Sequence, residues 1–201
     1  GNKEEVNAKP IETLLALYIR FHEEEKVNSE LETRGQEEFR KLEEGDGENY
    51  KLWEWFKEES LIEFNKIYKR LNVKFDIEIG EASYNEALRP LIEELKEKGI
   101  AKPSEGGLIV HLEEFGLPVA LIQKSDGASL YITRDIASIR HRISKYKPTQ
   151  LLYVVANEQA LHFSQLFGIA KLLGIKGVEM EHVKFGMVLG PDGKKLSTRE
   201  G

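Results

Sequence analysis

A phenol and a carboxylate stand four residues apart in "SLYITRDIASIR", at Tyr131 and Asp135, where an apolar run gives way to a helical pattern. Such a pair can grip a cation, and guanidinium is its natural guest because a planar fork of N–H donors matches a carboxylate. The helix dipole alone also favours an acid in a first turn, so Asp135 has a plain electrostatic reading beside the chemical one. A second grouping, Gln159, His162 and Gln165, is spaced by threes along one face at the start of a mostly apolar helical stretch. Left unpaired in a buried position, each would cost about 1–3 kcal/mol, so each must meet either nearby backbone or a ligand. The third grouping is "GPDGKKLSTREG", residues 190–201, with Lys194, Lys195, Ser197 and Thr198 among mobile glycines. Charge developing on phosphate oxygens is stabilised by such lysines and hydroxyls, although turn lysines are more often simply solvated.

Elements must hold these groups in place. From residue 9 to about 71 the pattern is helical. Pro10 suits a first helical position, Ser29 a helix N-cap, and "GDG" a stop. Leu52, Trp55, Phe56, Leu61, Phe64, Ile67, Tyr68 and Leu71 form one apolar stripe, which predicts a core face. After Lys74 strand patterns appear: "KFDIEIG", "LIVHL", "VALIQK" and "LYIT", with a turn at "SDGAS" and a helix at "YNEALRPLIEELKEKGI". Then "RDIASIRHRISKY" reads as helix, "QLLYVVAN" as strand, "EQALHFSQLFGIAKLLGI" as helix and "HVKFGMVLG" as strand. That alternation predicts an α/β layer with a parallel sheet. Ligands of open α/β sheets sit beyond the carboxyl ends of strands, and both the Tyr131–Asp135 and Gln159–His162 groupings are expected there.

Composition narrows the classes. The 201 residues, 40% hydrophobic and 32% charged, fit an ordinary globular chain without a membrane-spanning run. There is no cysteine, which rules out disulfides and thiolate metal sites and fits a cytoplasmic location. The histidines show no metal-ligand spacing, and neither G-x-x-x-x-G-K-[ST] nor G-x-G-x-x-G occurs. Charge is uneven: residues 121–201 carry 12 Lys and Arg against 7 Asp and Glu, whereas the first 120 are strongly acidic. A basic half hints at an anionic ligand, and solvated surface helices explain most of the acidic excess.

"LYITRD", "YVVANEQALHFSQLF" and "VKFGMVLGPDGKKLSTREG", in this order, resemble the arginyl-tRNA synthetases, class I aminoacyl-tRNA synthetases, in their bacterial branch. The similarity extends through "KPIETLLALYIRFHEE" and "LWEWFKEESLIEFNKIY", so it spans essentially the whole chain. It implies the second half of a Rossmann-like catalytic domain, preceded by an insertion. Residues 1–73 would be the insertion's helical segment, 74–129 an α+β connective part, and 130–201 the second Rossmann half. The implied reaction is ATP-dependent activation of L-arginine and its transfer to tRNA(Arg), with Mg²⁺ carried by ATP.

The resemblance also implies roles. Tyr131 and Asp135 would hold the guanidinium of the arginine and Gln159 would contact the same amino acid. His162 would lie near the adenosine. The K-M-S-K-S loop of class I enzymes aligns with Lys195, Leu196, Ser197, Thr198 and Arg199, giving Lys195 and Ser197 the phosphate role. Thr198 replaces the second lysine, and Lys194 is a candidate substitute. The His-Ile-Gly-His signature is absent, so these 201 residues are expected to be an internal piece, inactive alone. The parent is expected to be a monomer, and the piece to self-associate through an exposed sheet edge. The competing reading is a non-catalytic arginine-binding or protein-interaction module built on the same scaffold.

Overall fold

The computed structural model describes residues 3–187, 189, 190 and 193. Backbone contacts divide the chain into two units, one of them reaching Ile77 and the other Glu78–Met187. In the first, helices α1 (Lys3–Ala8), α2 (Pro10–Glu25), α3 (Ser29–Glu43) and α4 (Gly47–Arg70) succeed one another, with α2 against the other three. Pro10 opens α2, where its missing N–H costs nothing. The cap of α3 falls one residue earlier than expected: Asn28, not Ser29, accepts the Glu30 amide. Asp46 caps α4 by accepting the amides of Glu48 and Asn49.

Two expectations fail here. The α4 stripe is not a core: no residue of α4 is fully buried, and Leu52, Phe64, Ile67 and Leu71 are exposed. Helical periodicity shows that a face is apolar but not what covers it. "KFDIEIG" is not a strand either, and Phe75, Ile77 and Ile79 are exposed. Alternation cannot make a strand without a neighbour to take its backbone hydrogen bonds.

The second unit holds the better core. A short turn, Glu81–Tyr84, leads into α5 (Asn85–Glu97), followed by β1 (Ala101–Ser104), β2 (Gly107–Val110) and β3 (Ala120–Gln123). These three strands form an antiparallel sheet in chain order. Next come α6 (Tyr131–Tyr146), β4 (Gln150–Ala156), α7 (Ala160–Leu172) and β5 (Glu179–Phe185). Strands β4 and β5 are parallel, with Tyr153 opposite His182, and α7 is the crossover that a parallel pair requires. Leu91 and Leu95 of α5, Val110, Ile122, Ile136 and Ile139 of α6, and Leu166 and Ile169 of α7 form one buried cluster. Each contributes about 1.5–3 kcal/mol of burial before entropy is counted. The far face of the parallel pair is bare: Leu152, Val154, Val183 and Phe185 are exposed.

"LYIT" is also corrected. Ser129 forms an isolated bridge to Gln123, the Leu130 amide donates to the Ile122 carbonyl at 3.4 Å, and helix α6 begins at Tyr131. Ile132, Ile136 and Ile139 are all buried, at the spacing that one helix face supplies. Inside this face Thr133 is completely buried, and its hydroxyl donates to the Ile122 carbonyl of β3 at 2.7 Å. Helix α7 is fastened to the segment leading into β3: the Gln165 amide donates to the carbonyls of Pro118 and Val119, each at 3.0 Å. Gly168 permits this close seating, since a Cβ there would meet Leu112 at 3.1 Å and Phe115 at 3.3 Å.

Helices α5 and α6 are joined by a two-pronged ion pair. Arg140 donates to Glu94 through Nη1 at 2.5 Å and Nη2 at 2.8 Å. The Arg140 hydrogen bonds, then that from Lys98, hold the Glu94 carboxyl at about 2, below the ordinary 4.5. The stabilisation is present above the unfolded value and is lost as pH falls through the folded one. Both side chains are about one third exposed, so solvent screening leaves about 1 kcal/mol rather than the full linkage energy. Glu94→Gln is therefore expected to lower unfolding free energy by about 1 kcal/mol at neutral pH, with the deficit shrinking between pH 4.5 and 2. Urea titrations of both chains across that range check this. Thr133→Val is expected to cost about 1–2 kcal/mol in the same assay at neutral pH, because it strips a fully buried carbonyl of its best donor.

Candidate functional site

Tyr131 and Asp135 lie one turn apart on α6 and so share a face. They open a helix that follows an antiparallel hairpin, not a parallel strand as the sequence suggests. Tyr131 is 69% exposed. Gln159 does follow a parallel strand: β4 ends at Ala156, a single turn Asn157–Gln159 intervenes, and α7 begins. The Gln159 side chain makes no capping bond and is exposed.

One contact joins the two groupings. His162 Nε2 meets Asp135 Oδ2 at 2.6 Å, across 27 residues of sequence. The carboxylate can only accept, so Nε2 carries the proton and donates. Both side chains are partly shielded, 23% exposed for His162 and 36% for Asp135. Of the polar stripe on α7, Gln165 takes the backbone partners, as the plainer reading of that stripe allows, whereas His162 takes a side chain from another helix. Lys194, Lys195 and Ser197 lie outside the described residues.

Beneath the pair is an aromatic floor. Tyr153 packs at a tilt against Phe163 and Phe167, and Phe163 meets His182 at a tilt of 35°. His182 Nε2 donates to the Val155 carbonyl at 2.9 Å. The Tyr153 hydroxyl and His182 Nδ1 are buried without a hydrogen-bond partner among the described residues, and burial pushes the Tyr153 phenol above its ordinary value. Sequence reasoning overlooked both, since they sit within strand patterns that read as apolar. It also overlooked Thr133 as an anchor, for which no local signal exists.

Chemically, the arrangement offers a carboxylate held from one side, a phenol one turn away and an exposed amide at the head of the adjoining helix. That set suits a cationic, hydrogen-bond-donating group. A cavity of about 630 Å³, between the Glu81–Tyr84 turn, α5 and α6, is lined by Ser83, Tyr84, Glu94, Arg140, His141 and Ser144 among others. It includes none of the sequence-predicted site residues. No cluster of three His, Asp or Glu suited to a metal ion occurs among the described residues, and no helix among them is long and apolar enough to cross a membrane.

Comparison with known proteins gives these residues their context. The family model described as "tRNA synthetases class I (R), catalytic domain" matches residues 1–201. The chain is 50% identical over 202 aligned residues to "Arginine--tRNA ligase" of Exiguobacterium sibiricum and 49% identical to that of Ligilactobacillus salivarius. All of the chain is covered in both, and it spans 36% of the length of either relative. Among solved structures, the arginyl-tRNA synthetase of Plasmodium falciparum has a TM-score of 0.71 at 28% identity, covering 82% of this chain and 29% of that one. A putative arginyl-tRNA synthetase from Campylobacter jejuni has a TM-score of 0.61 at 20% identity, a likeness of fold alone, covering 76% and 34%. With its helices and its parallel strand pair, matched from the first residue to the last, the chain belongs to the arginine-type class I tRNA synthetases, within their catalytic domain.

Proposed function

We propose that the protein to which these residues belong joins L-arginine to tRNA(Arg). ATP and arginine form arginyl-adenylate and pyrophosphate, and the arginyl group then passes to a ribose hydroxyl of the terminal adenosine. The observation that carries this reading is the family match along the entire chain. Within the proposed layout, 1–73 is the helical part of the insertion, 74–129 its connective part and 130–201 the second half of the nucleotide-binding layer. The whole protein acts in the cytoplasm as a monomer. The 201 residues alone are inactive, and they self-associate through the free edge of the parallel pair.

Asp135 receives the guanidinium through charge-assisted hydrogen bonds, Tyr131 supports the same group, and Gln159 contacts the amino acid. Lys195 and Ser197 stabilise charge that develops on ATP's phosphates, and Lys194 stands in for the second loop lysine that Thr198 replaces. His162 is assigned to the adenosine side through the family resemblance. Mg²⁺ enters on ATP's own phosphates. No covalent enzyme intermediate is required. Catalysis rests on placing the arginine carboxylate in line with the α-phosphate and on stabilising the leaving pyrophosphate.

In the full-length protein, Asp135→Asn is expected to weaken arginine binding by about 100-fold, the usual loss of a charge-assisted pair, with ATP binding within a factor of about 3. Calorimetry with each ligand measures this, and unchanged arginine affinity would remove the guanidinium assignment. Lys195→Ala is expected to lower kcat of arginine- and tRNA-dependent pyrophosphate exchange by about 100-fold while the arginine KM stays nearly constant.

A further inference from the structure

A carboxylate that selects guanidinium must be aimed as well as charged. A planar fork loses its second hydrogen bond when the acceptor rotates by a few tens of degrees, and a free Asp side chain turns readily about its terminal torsion. Asp135 is not free: the imidazole of His162 reaches it across the gap between α6 and α7 at 2.6 Å. Both backbones are fixed near that contact. Two residues before Asp135, Thr133 is bonded to the Ile122 carbonyl; three residues after His162, Gln165 is bonded to the carbonyls of Pro118 and Val119. The imidazole is itself braced by the edge-on Phe163 ring at 5.3 Å.

We infer that His162 is a positioning residue for amino-acid recognition: its Nε2–H holds Asp135 Oδ2 so that the carboxylate is presented to the arginine guanidinium in one orientation. This inference rests on the assignment of Asp135 to the guanidinium. In place of the adenosine contact that the family resemblance gives it, the imidazole serves the arginine side of the site, acting through Asp135. An ionised carboxylate has about four acceptor positions, of which the imidazole uses one, so a two-pronged guanidinium can still be accommodated. A neutral or charged imidazole can make the bond, provided the proton is on Nε2.

The test uses the full-length protein, with separate arginine and ATP titrations by calorimetry and steady-state KM and kcat for each. His162→Asn keeps a polar side chain whose amide is too short to reach Asp135, whereas His162→Gln puts an N–H near the place of Nε2. His162→Asn is expected to raise the arginine Kd and KM by about tenfold, with the ATP values within about twofold, and His162→Gln to recover most of the loss. In an Asp135→Asn background, His162→Asn should then have little further effect on arginine affinity. A loss confined to ATP, an equal loss for both ligands, an unchanged arginine affinity, or no recovery with Gln would each overturn the inference. Should Asp135→Asn alone leave arginine affinity intact, the guanidinium assignment itself fails. Loss with Asp135→Asn but none with His162→Asn sinks only the positioning role. If His162→Asn does not fold, His162→Ala takes its place under the same criteria: a rise in arginine Kd without one for ATP, recovered by His162→Gln, supports the inference, and unchanged arginine affinity or a selective loss for ATP overturns it.

Discussion

Burying a threonine completely is tolerable only when its hydroxyl finds an acceptor, and Thr133 finds the Ile122 carbonyl at 2.7 Å. That bond settles where α6 starts and hence where Asp135 stands, one half-turn further on. The Gln165 amide does the equivalent for α7, with Pro118 and Val119 as acceptors. Both fastenings end on β3 or on the segment leading into it. The contact between His162 and Asp135 therefore joins two elements whose positions are already determined by a third, and little freedom is left in its length.

The elements that carry the site were largely readable because their patterns are redundant. The apolar run at Leu151–Ala156 and the long apolar helix after it identify a strand–helix–strand unit, and the structure has it with Tyr153 opposite His182. Tyr131 to Thr133 deceived the eye because tyrosine, isoleucine and threonine favour strands. What decides for helix is non-local: burial of Ile132, Ile136 and Ile139 together, and a carbonyl on β3 waiting for the Thr133 hydroxyl. The residues of α4 and of "KFDIEIG" show the opposite limit. Their patterns announce an apolar face, and pattern alone is silent about the surface that meets it.

Residue type and spacing picked out Asp135 and His162 separately, each with a plain alternative. A chain read one helix at a time has no means of pairing positions 27 apart, so their meeting emerges only from the fold. The phosphate role proposed for the closing-loop lysines rests on a different basis, the order of three segments that resemble one family and a family match along the entire chain. The basic balance of residues 121–201 agrees with an anionic substrate, but spread over α6 and the loop it could not locate one.

The small antiparallel sheet contains none of the residues of the proposed site, yet α6 and α7 are both fastened to β3 or to the segment leading into it. Its turn Lys124–Ala128, closed by Gly127 at φ +88° and by the Asp126 carboxylate accepting from the Ala128 amide, lies in the chain between Ile122 and Thr133. Such a scaffold works as a tuning screw. Altered packing along β1–β3 would be felt at Asp135 and His162, so inherited or engineered changes in this remote ornament would masquerade as defects of the proposed site.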